Sequence, residues 1–438
     1  MLDKLFSWGK KKDNPLPDIQ FGHYSDNNKS VEKTARWSEA DKLFKERKYH
    51  ESINVFFDYL RDDAADNVQI SGQGTDFKFE ISQGSKIARG WGDADQVQAE
   101  VSLARMPQPS VAVMRRLLEQ NFSLNYSRNA LDGDRLCMRF NSDIETANPN
   151  KLYYGLKELA TRADKQDDLL VKDFAVLEPL DLDHIIPIPE AEKEIKFNFF
   201  QKWIKETIDY CNGLDAEKFS GGIAYLYLGL AYRIDFLICP DGGLLSELEK
   251  IPAIYFDKDE KPVTEKNKAM QEGYRNLLEK PKEEMVKHLF RSKSTFAILA
   301  PQQYKVITDA IYNANNNMTW YRDNDYHLIG QQICEYGISY CQYSYSLPRP
   351  LTEFYQLFMQ VNYPDYFNAL GYTQVLYELS SKTFSADPIT EKIRTIQASW
   401  KLKYPKLDFK TANLRFDSLL NFNHTFTTEL EYLNFDTQ

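Results

Sequence analysis

Residues 76–103 read DFKFEISQGSKIARGWGDADQVQAEVSL, and this stretch decides the fold. Phe77, Phe79 and Ile81 alternate with Asp76, Lys78 and Glu80, the period-two pattern of a strand with one buried face. Gln83-Gly84 reads as a turn. Ile87, Arg89 and Trp91 follow as a second strand, closed by Gly92-Asp93. Val97, Ala99, Val101 and Leu103 alternate with Gln98, Glu100 and Ser102 as a third. Downstream, Pro107 and Pro109-Ser110 end the sheet run and open a helix. Val111, Met114, Leu117 and Leu118 are its expected apolar face, and Asn121 can end it. Phe122, Leu124 and Tyr126 alternate as a fourth strand. Asp132-Gly133 is a hairpin turn, and Leu136, Met138 and Phe140 form a fifth strand. Pro149 opens a last helix with Leu152, Leu156, Leu159 and Ala163 on one side.

Upstream, Trp37 to Asp62 reads as two helices. Trp37, Ala40, Leu43 and Phe44 share one face, and Ile53, Phe56, Phe57 and Leu60 share another. The string ADKLFKERKYHESINVFFDYL (residues 40–60) resembles the middle of a tetratricopeptide repeat, with a small Ser52 where the helices would cross. Residues 1–35 are expected to be a flexible tail. Its opening MLDKLFSWGKKK sets Leu2, Leu5, Phe6 and Trp8 before three lysines, which fits either a weak interfacial anchor or apolar residues docked on the protein itself. Residues 166–195, with Asp181, Asp183, Pro187 and Pro189, are expected to be a linker. Residues 196–438 read as a helical domain. Tyr225, Leu228, Gly229 and Tyr232, and again Ile333, Tyr336, Gly337 and Tyr340, resemble tetratricopeptide first helices, although no 34-residue period links them. Asp257 to Lys282 is charged, contains Pro262 and Pro281, and is expected to be an exposed excursion.

The order over residues 36–165 is α-βββ-α-ββ-α. That order resembles the type III secretion chaperones and the YbjN-type proteins sharing their fold. The stretch MRRLLEQNFSLNYSRNALDGDRLCMRF (residues 114–140) looks like their central element. The resemblance implies an α+β domain that binds other proteins, and self-association, because family members often act as dimers. A mainly helical domain then completes an α+β chain.

Composition narrows the function classes. Hydrophobic residues make up 42% of 438, and 27 Tyr, 27 Phe and 6 Trp are too many aromatics for a disordered chain. The 54 basic against 64 acidic side chains leave −10, a balance that repels phosphate backbones, so no nucleic-acid partner is expected. Cys137, Cys211, Cys239, Cys334 and Cys341 are odd in number and scattered, which fits buried thiols in a reducing compartment. No transmembrane span or secretory signal is visible, so the cytoplasm is the expected address.

No catalytic signature emerges. Gly72 and Gly74 precede a strand, and Gly221-Gly222 and Gly242-Gly243 lack a phosphate-loop lysine. Asp181, Asp183 and His184 could hold a divalent ion but sit in a proline-rich loop. The expectation is therefore no catalytic, cofactor-binding or metal residue, and a non-enzymatic adaptor or chaperone whose partner is another protein. The alternatives are a structural subunit of an assembly, or an enzyme with its site between the two halves. Trp91 is the candidate partner anchor, because Gly90 and Gly92 beside it would leave room for a partner backbone; filling the core with Ile87 is the other reading.

Overall fold

The computed structural model describes residues 17–23, 29–63, 65–182, 185–297, 302–345 and 347–436. The opening MLDKLFSWGKKK, Asp183 and His184 lie outside these. The protein is α+β, with an antiparallel sheet in its N-terminal half and helices after it.

Two helices, α1 (Val31–Lys45) and α2 (Tyr49–Leu60), form the hairpin that the sequence indicates. Arg47 turns the chain with φ 62°, and buried Ser52 donates its hydroxyl to the Ala40 carbonyl at 2.7 Å where the helices cross. The sheet follows: β1 (Val68–Gln73), β2 (Asp76–Gly84), β3 (Lys86–Gly92), β4 (Gln96–Arg105), then α3 (Val111–Asn121), β5 (Ser127–Asp132), β6 (Arg135–Asp143) and α4 (Pro149–Asp173). The strand order is β1-β2-β3-β4-β6-β5, all antiparallel.

One sheet face carries the core. Phe77, Phe79 and Ile81 of β2, Val97, Ala99 and Val101 of β4, and Leu136, Met138 and Phe140 of β6 are buried against α2 and α4. Gly90 and Gly92 lie opposite Phe79 and Phe77 in the register, and the phenyl rings lie across them. A Cβ on Gly90 would meet Phe79 Cζ at 2.0 Å, and one on Gly92 would meet Phe77 Cζ at 2.3 Å. The expected gap for a partner backbone is thus occupied by the protein's own rings.

Three further expectations are corrected. An additional strand, β1, precedes the three that were expected. Gly74, with φ 67°, sits in the tight turn that pairs β1 with β2, and Gly72, with φ 106°, lies within β1 opposite Phe77. The fourth expected strand is shifted: residues 122–126 are a turn and β5 begins at Ser127. The Glu158 carboxylate holds that turn, accepting from the backbone N–H groups of Asn125, Tyr126 and Ser127, each at 2.8 Å. Burial opposes the charge on Glu158, but these donors keep its pKa below the usual carboxylate range. Finally, α3 turns Val113 and Leu117 to the sheet, and Leu118 stands 63% exposed.

The helical half comprises α5 (Glu190–Asn212), α6 (Ser220–Arg233), α7 (Gly242–Phe256), α8 (Val263–Leu278), α9 (Lys282–Val286), α10 (Tyr304–Asp323), α11 (His327–Ser344), α12 (Arg349–Asn362), α13 (Pro364–Ala369), α14 (Ala386–Trp400) and α15 (Leu419–Glu431). The expected excursion is α8 and α9, whose Met270, Tyr274 and Leu277 are buried. The two tyrosine-glycine segments pack on each other, with Tyr225 and Tyr336 ring centroids 4.8 Å apart. A π-helical turn, Ile234–Ile238, continues α6. Ser220–Ile238 is apolar and long enough to cross a membrane, but 89% of that window is buried inside the protein. Within the core, Arg233 pairs with Glu335 at 2.8 Å and stacks on Tyr363 at 4.5 Å, and Tyr363 donates its hydroxyl to Glu335.

The halves are joined more closely than a linker over 166–195 would allow. Helix α4 runs on to Asp173. Lys293–Ser294 adds a short strand beside Gly84 and Gln83 of β2. Gln83 Oε1 accepts from the Phe296 backbone N–H at 2.9 Å, and the Phe296 ring is buried in the sheet core. The expected tail is also partly ordered: Phe21 packs on Phe236, Phe367 and Tyr372 of the helical half.

Candidate functional site

Two surfaces and one cavity deserve a functional reading. The first surface is the outer face of the sheet around Trp91. Trp91 is 38% exposed, directly opposite Lys78 of β2 and Gln98 of β4. It therefore does not fill the core. Its strand lies inside the sheet, with its backbone already paired on both sides. Near it Arg89 pairs with Glu80 and with Asp181, whose φ is 63°. The Asp181 carboxylate is thus committed to an ion pair.

The second surface was not found by sequence reasoning. Val111, Met114, Leu118 and Phe122 recur at i, i+3, i+7 and i+11, one stripe along α3, and all are exposed, Phe122 by 94%. Beside the stripe, β5 is an edge strand that among the described residues pairs with β6 alone. Asn129 of β5 is tied to α3, donating to the Leu117 carbonyl at 3.2 Å. Helix and edge therefore form one continuous surface. Arg115, Arg116 and Arg128 stand exposed around it, against Glu119. Asp132 is held by Arg135 and Arg139. On a chain of net charge −10 this is a locally basic, apolar face. The signal is present in the sequence, where Leu118 reads as part of the apolar face of the helix and Phe122 as the start of an expected strand.

The cavity, about 740 Å³, opens where the two halves meet. From the sheet half come Ser85, Lys86, Asp167 and Asp168; from the helical half come Gly243, Leu244, Lys287 and His288. Asp167 is buried and pairs through Oδ2 with the equally buried Lys86 at 3.0 Å. Ser85 Oγ also donates to that oxygen at 3.0 Å. Lys86 reaches the Leu180 carbonyl at 3.0 Å as well. Asp164, behind them, accepts from the Ser85 backbone N–H at 2.7 Å. Two left-handed glycines permit this crowding: a Cβ on Gly84 would meet Asp164 at 2.1 Å, and one on Gly242 would meet Asp168 at 1.9 Å. Burial raises the Asp167 carboxyl to about 6 despite Lys86. It raises Asp164 and Asp168 too, with Asp241 adding repulsion to both. Burial lowers His288 to about 4, with the Lys287 charge acting the same way, so its ring is neutral near pH 7.

Among the described residues no group of three or more His, Cys, Asp and Glu is arranged to hold a metal ion. All five cysteines are buried and unpaired by disulfides. No protein-family model and no curated protein matches this chain.

Proposed function

We propose that the chain is a non-enzymatic, chaperone-like adaptor of the cytoplasm that binds another protein along α3 and the β5 edge. The observation that carries the reading is the exposed stripe Val111, Met114, Leu118 and Phe122 along α3, beside the edge strand β5, whose outward Ser127 and Asn129 N–H groups are taken by Glu158 and Asn121. An apolar stripe receives the side chains of a partner segment, with backbone pairing confined to the end of β5 toward Asp132. Contiguous apolar surface of this kind marks interaction sites. The basic surround of Arg115, Arg116 and Arg128 suits a segment flanked by acidic residues. The likeness to secretion chaperones, with β1 added as a fourth strand before α3, supports the same class of function. Trp91 is a poorer anchor, because no free backbone edge adjoins it.

The test compares the intact chain with a Leu118→Ser, Phe122→Asp double variant. Pull-down from the source cells should recover a specific protein with the first and lose it with the second at unchanged melting temperature. Equal capture by both moves the site elsewhere, and turnover in a metabolite screen with no captured protein rejects the adaptor reading. Light scattering adds one arm: a dimer abolished by the double variant would make the occupant a second copy of the chain.

A further inference from the structure

We propose that the cavity between the halves binds a small zwitterion with an apolar body, its ammonium at Asp167 and Asp168 and its acid group at the lysine-lined mouth. The proposal is independent of the protein-docking surface, which lies on other elements.

The acidic end keeps one acceptor that its donors, Ser85 and Lys86, do not reach. Asp167 spends Oδ2 on Lys86 and Ser85, while its Oδ1, fully buried, has no hydrogen-bond partner among the described residues. An acceptor in that state is costly and rare. Four carboxyl groups, Asp164, Asp167, Asp168 and Asp241, lie close enough for their charges to oppose one another. Lys86 is the cation bonded among them, and His23 offsets Asp241 from the far side. A ligand ammonium brings three N–H donors and one positive charge to that end.

The mouth has the opposite balance. Lys172, Lys193, Lys280 and Lys287 line it, against Glu247 and Glu284. Glu247 is shared by Lys172 at 2.6 Å and Lys280 at 3.0 Å, and Lys280 also meets Glu284 at 2.8 Å. Lys287 makes no ion pair among the described residues. Its charge offsets part of the rise at Asp168. Between the two ends Leu103, Val171, Leu180, Leu244 and Phe290 give an apolar wall. A pocket of this size and mixed lining is of the kind that encloses small molecules. A simple fatty acid would leave Asp167 Oδ1 unpaired, and a diamine would bring a second cation to the lysines.

Calorimetric titration of the full chain near neutral pH tests this. The probes are ω-amino acids from aminobutanoate to aminododecanoate, with alkylamines, alkanoates and diamines of matched length. One ω-amino acid should bind at least about tenfold more tightly than its matched amine, acid and diamine. Asp167→Asn should abolish that binding. Because this change leaves Lys86 buried without its partner, the surface variant Lys287→Ala provides the second measurement. It should weaken the ω-amino acid several-fold and leave the matched alkylamine unchanged or tighter. No heat from any ω-amino acid, an alkanoate binding as tightly, or indifference to Lys287→Ala would each overturn the proposal.

Discussion

Leu117 and Leu118 are neighbours on α3 with opposite surroundings, and replacing each by alanine separates packing from docking. Leu117 is buried against the sheet, so Leu117→Ala removes a packed side chain and leaves a cavity. Such changes cost ~2–5 kcal/mol, and the lower half of that range suits a helix at the rim of its core. Leu118 is 63% exposed. Only about a third of the ~2 kcal/mol available from burying a leucine is at stake, roughly 0.7 kcal/mol, and the better helix propensity of alanine returns a few tenths. Leu118→Ala should therefore shift stability by less than about 0.7 kcal/mol. Urea unfolding followed by circular dichroism, with both variants beside the parent, gives the two values directly. Equal losses for the two would mean that the α3 stripe is packed inside the protein, and the docking surface would disappear with it.

Three further outcomes follow from the geometry. Burial raises the carboxyl pKa of Asp164, Asp167, Asp168 and Asp241 in the folded chain, so each contributes stability that is full at low pH and is lost as pH rises through its folded pKa, about 6 for Asp167. The melting temperature should climb as pH falls from about 7 to about 5, with Asp167 alone adding ~1.3 kcal/mol of stability over that span, then drop below about 4 as Glu100 and Glu158 lose their partners; a flat profile between 5 and 7 would refute this. Arg233→Met leaves Glu335 charged in the core and should cost ~3–5 kcal/mol, much of it recovered by adding Glu335→Gln, as measured in denaturant. Glu158→Ala frees three backbone N–H groups and should cost ~1–2 kcal/mol, with amide exchange accelerated at Asn125 to Ser127 and unchanged in β2.

Much of the sheet half could be read from the chain, because alternation in β2, β4 and β6 coincides with one-sided burial and Asp132-Gly133 is an unambiguous turn. The unread parts have physical reasons. Strand β1 is Val68–Gln73, mostly polar, with Val68 buried and Ile70 exposed, so it carries no apolar alternation. Phe122, Leu124 and Tyr126 mimic a strand's period, yet the Phe122 and Leu124 N–H groups donate to the Glu119 and Asn121 carbonyls and that of Tyr126 to Glu158. The true edge, Ser127 to Asp132, is polar because much of it faces water. A helix with apolar residues on two sides, like α3, does not disclose which side meets the sheet. The cavity was beyond reach for a different reason: its walls come from residue 85 to residue 290 with no local spacing to mark them.

The Phe296 insertion has a consequence for the order of events during synthesis. The sheet half has its six main strands and α4 once Asp173 has been made, yet its core keeps a phenyl-sized gap, and β2 an open flank beside Gln83, until a segment about 120 residues later emerges. At ordinary elongation speeds of 5–20 residues per second, that is a wait of roughly 6–25 s. During this interval the nascent sheet exposes apolar surface to anything nearby. The chain's two halves therefore mature together rather than in sequence, and a fragment ending at Asp173 would be a nascent intermediate instead of a domain.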